Sequence, residues 1–385
     1  MTADRPLRVC FLVEGSPRRG LSPAARFRIL QYLPSFREAG VVPIVRPSRP
    51  SKYFGESRSM QRFHRWAGVR LGSWVMRQGY RLQVATRLLD LEAARRADVV
   101  VLQRDLQALA QSRLDELLLY FHDRIVFDYD DAIFVRPSWE RRGPDDTLVH
   151  EGLHEKVRRI VTMASHVVAS TPYLAEFARA HNPHVTVIPT PVDTERYTPA
   201  VEPPRNDPPV IGWMGTSGNL HYLRDLLEPL ERLARRQPFR FRVVCNDVPP
   251  ERQPRLWGAP SEFRVWSLEQ EVEELRQFDI GLMPLHDDAW TRGKAGFKIV
   301  TYLACGVPCV ASPVGFNPTV LGAAGVCGLY ATTADQWCAA LERLLADSEA
   351  RRAMGRRARA RAVERFDARR HAARWLEVLH EVAAA

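Results

Sequence analysis

The chain has 385 residues, 45% of them apolar, and a formal net charge of +10. That length exceeds what one ordinary hydrophobic core serves and suits two domains, and the apolar share marks a globular protein. No stretch approaches the roughly 20 apolar residues that span a bilayer, and the early run Val9 to Val13 is too short for a signal peptide, so a cytoplasmic location is expected.

The positive charge favours an anionic partner (nucleotide, nucleic acid or anionic membrane surface) without choosing among them. The six cysteines, Cys10, Cys245, Cys305, Cys309, Cys327 and Cys338, stand in apolar surroundings. They show no Cys-x-x-Cys pairing and no histidine at metal spacing, so they are expected to be small buried hydrophobes.

In chain order, Leu7 to Glu14 has the pattern of a buried strand, followed by a Gly-Ser-Pro loop and a helix over Ala24 to Ala39. Further strands are expected at Val41 to Val45, Asp98 to Gln103, Ile125 to Asp128, His166 to Ser170 and Val185 to Pro189. Helices are expected over Leu106 to Phe121, Leu148 to Ala164 and Pro172 to His181. Such alternation predicts a parallel, doubly wound sheet. Between the second and third strands, residues 51–81 hold seven Lys or Arg and one acid, interleaved with Tyr53, Phe54, Phe63, Trp66, Trp74 and Tyr80. Two readings stay open there: a segment lying on an anionic membrane, or a helix packed on the sheet by its aromatics with its arginines in water. A nucleic-acid partner is not expected, because no recognised RNA or DNA module is visible.

The proline-rich stretch "TPAVEPPRNDPP", residues 198–209, suits an interdomain linker. Beyond it the alternation restarts. Strands are expected at Val210 to Met214, Phe241 to Cys245, Phe263 to Trp266, Asp279 to Leu285, Pro308 to Ser312 and Val326 to Tyr330. Helices are expected over Leu220 to Arg236, Glu269 to Phe278, the segment beginning at Gly293, and two or three stretches at the C-terminus. Two open α/β domains in series result, 1–197 and 210–364. Ligands of such sheets bind where the carboxyl ends of strands lead into helix N-termini.

"GKAGFKIVTYLACG", residues 293–306, follows one such strand. Gly293, Lys294, Gly296 and Lys298 are expected at the start of its helix, where free N–H groups and the helix dipole favour an anion. Cations there oppose the dipole at about 0.3–1 kcal/mol each, so the pair suits a diphosphate better than ordinary surface lysines.

This segment resembles the donor-binding segment of retaining glycosyltransferases of the GT-B fold, family 4. "PAARFRILQYLP" (23–34), "IVFDYDDAIF" (125–134), "VVASTPYLAEFA" (167–178), "VTVIPTPVDTERYTP" (185–199), "VIGWMGTSGNLHYL" (210–223) and "DIGLMPL" (279–285) are similar to family motifs in the same order. The resemblance implies two Rossmann-like doubly wound domains facing a central cleft, with the C-terminal helix 365–385 joining the first. It implies a nucleotide-diphosphate sugar donor held by the second domain and a saccharide or lipid-linked acceptor held by the first. Transfer would proceed with retention and without a metal or other cofactor. Lys294 and Lys298 match the positions that stabilise the leaving diphosphate.

By the same resemblance, Gly215 and Gly218 allow close backbone approach and Thr216, Ser217 and Asn219 offer donors to phosphate oxygens, while a plain strand-to-helix turn stays open. Trp266 frames the nucleobase or fills the core. The family's two glutamates fall here on Gly293 and Thr301, neither of them acidic. Thr301 is left to meet the ribose, Asp287 or Asp288 the sugar, and Gly296 and Phe297 line the same segment. In the first domain, Asp128, Asp130 and Asp131 suggest sugar recognition, a base, a metal or an ion-pair cluster. Arg26 and Arg28, after the Gly15-to-Gly20 loop, are candidate partners or phosphate contacts. A catalytically inactive nucleotide-binding or scaffold protein is the competing reading.

Overall fold

The computed structural model describes residues 5–15, 22–50, 58–107, 112–137, 151–202, 206–246, 248, 250, 253–256 and 258–385. Residues 16–20 of the first loop, 51–57 of the basic stretch, 108–111 and 148–150 of two expected helices and 203–205 of the proline-rich stretch lie outside the described residues. The chain divides into two units, Met1–Thr190 with His371–Ala385, and Pro191–Arg370. Residues 198–202 and 206–209 therefore belong to the second unit.

In the first unit, β1 (Leu7–Val13), β2 (Val41–Pro47), β3 (Val99–Gln103), β4 (Ile125–Tyr129), β5 (His166–Ala169) and β6 (Val185–Val187) form one sheet ordered β2-β1-β3-β4-β5-β6. Every pairing is parallel. Val9 to Val13, Val99 to Leu102 and Ile125 to Phe127 are buried without alternation, as a sheet covered on both faces requires. The order of strands reverses between β1 and β3, which makes their carboxyl ends the switch point.

The β2-to-β3 crossover is the Arg58–Arg95 helix, interrupted at Gly68, where φ is 74° and ψ 169°. Arg87 on its inner face is buried and donates to the carbonyls of Val13 at 3.1 Å, Arg46 at 3.2 Å and Leu106 at 3.3 Å. Carbonyls at strand ends that water does not reach are thereby satisfied. The helix expected from Leu106 begins instead at Leu114. Leu106 and Gln107 are held as loop, because Asp115 accepts the Leu106 N–H at 2.6 Å and Lys156 donates to the Gln107 carbonyl at 2.6 Å. At the C-terminus, Trp375 of the Ala368–Ala384 helix is fully buried, its ring 6.3 Å from that of Tyr32.

The second unit repeats the plan with β7 (Val210–Gly215), β8 (Arg240–Cys245), β9 (Ser261–Val265), β10 (Ile280–Met283), β11 (Cys309–Ala311) and β12 (Gly328–Tyr330). Its order is β12-β11-β10-β7-β8-β9, again all parallel, with the switch between β7 and β10. Tyr302 fixes the Phe297–Ala304 helix to both strands: its hydroxyl accepts from Met214 N–H and donates to the Leu282 carbonyl, each at 3.2 Å. All six cysteines are buried, and burial pushes the thiols of Cys10, Cys245 and Cys305 up to about 12. Among the described residues no helix is long and apolar enough to cross a membrane.

Glycine lets two large rings close on these strands. A Cβ on Gly212 would lie 2.2 Å from the Phe278 ring, and one on Gly281 2.6 Å from the Tyr302 ring. Gly212→Ala and Gly281→Ala are each expected to destabilise the second unit by about 1–3 kcal/mol through overpacking. Gly218→Ala, whose methyl would enter open space, should leave the urea midpoint of that unit within error of the parent.

Candidate functional site

Two groups of side chains gather at the two switch points, one in each unit. In the first unit the chain leaves β1 through Glu14 and Gly15. Gly15 has φ +90°, and a Cβ there would stand 3.1 Å from Ser22 N, so glycine is required where it meets Ser22. Ser22 donates its hydroxyl to Glu14 at 3.2 Å.

Arg28 and Asp128 are both fully buried. Arg28 Nε lies 3.1 and 3.3 Å from the two Asp128 oxygens, and its Nη1 reaches the Pro189 carbonyl at 3.0 Å. Burial opposes the charged guanidinium, but the charge and hydrogen bonds of Asp128 outweigh it and raise its pKa. The expectation that Arg28 and Asp128 meet an acceptor is corrected here: they satisfy each other and pin the first helix to β4 and to the segment after β6. Arg26 is also buried, its guanidinium 4.3 Å over the Phe27 ring.

Asp130 and Asp131 remain at the surface of the group, their side chains 14% and 22% exposed. Arg104, directly after β3, donates to Asp130 at 2.7 Å and to Asp131 at 2.6 Å, with Glu14 3.5 Å away. It does so from φ +60°, a left-handed conformation that costs a non-glycine residue about 1 kcal/mol or more. The clustered carboxylates therefore find their counter-charges in Arg28 and Arg104. Among the described residues no three His, Cys, Asp or Glu side chains are placed to hold a metal. Arg104 and Glu14 were missed from the sequence, although both stand at strand ends, the signal that located the aspartates.

In the second unit the segment before the helix differs from expectation. Thr291–Gly293 forms a 3-10 turn, Lys294 is extended, Gly296 is left-handed at φ +64°, and the α-helix starts at Phe297. Lys294 thus stands ahead of the helix and Lys298 in its first turn, and both glycines precede it, so neither weakens it. Lys298 crosses to the end of β7: its Cε would be 2.8 Å from a Cβ on Gly215, and its Nζ is 5.4 Å from the buried Trp213 ring. Lys294 Nζ lies 5.6 Å from the Trp290 ring.

The loop after β7 is held by its own side chains. Asn219 donates to Thr216 Oγ1 at 2.9 Å, and Ser217 N–H donates to Asn246 Oδ1 at 2.6 Å. Asn246 returns a bond from Nδ2 to Ser217 Oγ at 2.9 Å. The Ser217 N–H is therefore engaged, while the Thr216 and Ser217 hydroxyls, among the donors expected to meet a phosphate, keep their hydrogens for other acceptors. His221 donates from Nδ1 to the Gly218 carbonyl at 2.8 Å. Burial holds its pKa below the usual histidine value, opposed by the hydrogen bond to Gly218 and aided by the nearby His286 and Lys294. Asn246 and His221 were not singled out from the sequence.

The remaining candidates divide. Trp266 is half-buried beside the end of β8, its N–H bonded to the Cys245 carbonyl at 2.8 Å. Phe297 is half-buried at the first helical position, behind buried Gly296. Buried Thr301 donates to the Lys298 carbonyl at 2.8 Å, leaving its lone pairs to accept. Asp287 is paired at the surface with Arg292 at 2.7 Å, and Asp288 accepts the Thr291 N–H at 2.8 Å. Both expected sugar contacts are thus committed to their own loop.

Residues 208–347 match the family model described as glycosyl transferases group 1. No curated protein matches the chain. Among solved structures, the chain is similar to sucrose-phosphate synthase from Thermosynechococcus elongatus, with 14% identity, TM-score 0.74, and 98% of this chain and 99% of that one covered. It is also similar to Anabaena HepE, solved in complex with UDP and glucose, at 15% identity, TM-score 0.64, and 97% and 100% coverage. Trehalose 6-phosphate synthase from Burkholderia multivorans gives 14%, 0.61, and 98% and 99%. At these identities the likeness establishes the fold, the two Rossmann-like units of GT-B.

The Arg28–Asp128 pair separates a structural from a binding role. Arg28→Met, which strands a buried carboxylate, is expected to cost about 3–5 kcal/mol, and adding Asp128→Leu should recover most of it. Urea unfolding of the two variants beside the parent checks this, and an unchanged midpoint for Arg28→Met would refute the structural role.

Proposed function

We propose that this chain, whose residues 208–347 match the model of the group 1 glycosyl transferases, moves a sugar from a nucleotide-diphosphate donor to a saccharide or lipid-linked acceptor with retention at the anomeric carbon. The observation that carries this reading is Lys298 lying across Gly215 at the β7/β10 switch point. There a strand end, a helix start and Lys298 meet, with Lys294 just ahead of the helix, which is where an open α/β sheet takes its ligand. The UDP and glucose found in Anabaena HepE are of the class such a site accepts.

In this mechanism the diphosphate is held by Lys298 and Lys294 and by the Thr216 and Ser217 hydroxyls. As the glycosidic bond breaks, negative charge grows on the leaving phosphate, and fixed ammonium groups stabilise that state more than the ground state. Trp266 takes the nucleobase and Thr301 accepts from a ribose hydroxyl. The first unit recognises the acceptor through Asp130 and Asp131, aimed by Arg104. The leaving phosphate itself receives the acceptor proton, so no separate base is assigned. No metal is assigned a part, and the chain works in the cytoplasm.

One observation favours the inactive scaffold: positions 293 and 301 carry no carboxylate, and Asp287 and Asp288 are spent locally. A nucleotide-sugar panel read by thermal shift and by transfer decides between them. Under the enzyme reading at least one donor raises the melting temperature and is turned over. Stabilisation with no transfer or hydrolysis across the panel supports the scaffold. Lys298→Met, which keeps the stem over Gly215, is expected to lower kcat by about 10²–10³-fold with the melting temperature preserved. Unchanged turnover would remove the diphosphate role.

A further inference from the structure

The Arg58–Arg95 helix carries an outward face that the transfer reaction does not use. From Arg58 to Leu89 the sequence has seven arginines and no acidic residue. On the described outer surface Trp66 is 82% exposed, Trp74 54%, Leu82 57% and Leu89 69%. Leu71, Trp74, Leu82 and Leu89 recur at helical spacing and form one stripe, roughly 27 Å long at 1.5 Å per residue. Exposed Arg70, Arg77 and Arg81 run along one side of it, and none of the three pairs with a carboxylate among the described residues. The opposite face, with Gln83 bonded to Ser48 at 2.8 Å and Arg87 on the strand ends, faces the fold.

We propose that this face docks on an anionic membrane surface, with Trp74, Leu82 and Leu89 entering the interfacial region and the arginines meeting lipid phosphates. A row of indoles and leucines beside unneutralised guanidinium groups fits an interface that is apolar below and negative above. A second copy of this chain is a poorer occupant, because pairing two such faces would bring the arginine rows together. In the described part of residues 51–81, Trp66 and Trp74 are exposed rather than packed on the sheet; the helix holds to the fold further along, through Gln83 and Arg87, and offers this face to lipid. The inference stands apart from the transfer reaction, and its test is read without turnover.

The full chain is sedimented with vesicles of phosphatidylcholine alone and of phosphatidylcholine mixed with phosphatidylglycerol. Binding is expected to the mixed vesicles and to weaken with salt. It should fall about tenfold or more in the combined variant Trp74→Ser, Leu82→Ser, Leu89→Ser and in the combined variant Arg70→Gln, Arg77→Gln, Arg81→Gln. A cooperative melting transition at the parent's temperature on the same samples confirms that each is folded, and Leu89→Ser alone substitutes if a combined variant is not. Failure of the parent to sediment with mixed vesicles overturns the proposal. So does undiminished binding by the serine variant, which would make the contact electrostatic alone. A parent that dimerises through this face or captures an RNA oligonucleotide, and leaves vesicles unbound, overturns it as well.

Discussion

Both units depend on one constraint: a parallel sheet covered on both faces has nowhere to put a polar group except at its strand ends. β1, β3 and β4 are buried almost throughout, and so is β7 from Val210 to Met214. Every charged group of interest is therefore pushed to the carboxyl edge, and most of all to the switch points, where neighbouring loops diverge and leave room. The cost of that crowding is visible in Arg104, held in a left-handed conformation to reach three carboxylates. It is visible again at Gly215, where a side chain would collide with Trp213 and Lys298 together.

The same constraint sorts the charges into two kinds. Arg28 with Asp128, Arg87 with the carbonyls of Val13 and Arg46, and Lys156 with Asp115 are buried and hold loops in place. Such pairs contribute less to net stability than to keeping one arrangement, because desolvation offsets most of the attraction. Asp130 and Asp131 stand nearer the solvent, at the ends that those buried pairs position, and in the second unit Lys294 and Lys298 are likewise only half-buried. Burial thus divides support from chemistry more sharply than residue type does.

How much of this was legible in the sequence follows from the same physics. Near-continuous apolar runs such as "VVVLQ" and "IVFDY" identify buried parallel strands, so the two-unit architecture was legible, and with it the strand ends. The Gly-Lys-rich segment was legible as a site, but its first turn was not, because nothing in local propensity says that Gly296 is left-handed and Lys294 extended. Leu106 misled for a related reason: its spacing is helical, yet Asp115 and Lys156 take the backbone groups of Leu106 and Gln107 from further along the chain. Arg104 and Arg87 were hidden by number, since the chain has 55 lysines and arginines. Asn246 was hidden because a single amide after a strand carries no pattern at all.

The burial of all six thiols has a practical side. A thiol-directed dye has no native attachment point in the folded chain, so one cysteine introduced at the surface becomes a unique handle without removing any other. Gly218 suits it: a Cβ there meets nothing within 4 Å, in the loop that Asn246 and His221 hold beside the candidate site. A fluorophore at that position would report occupancy as a change in its emission, turning a packing feature of the core into an optical assay.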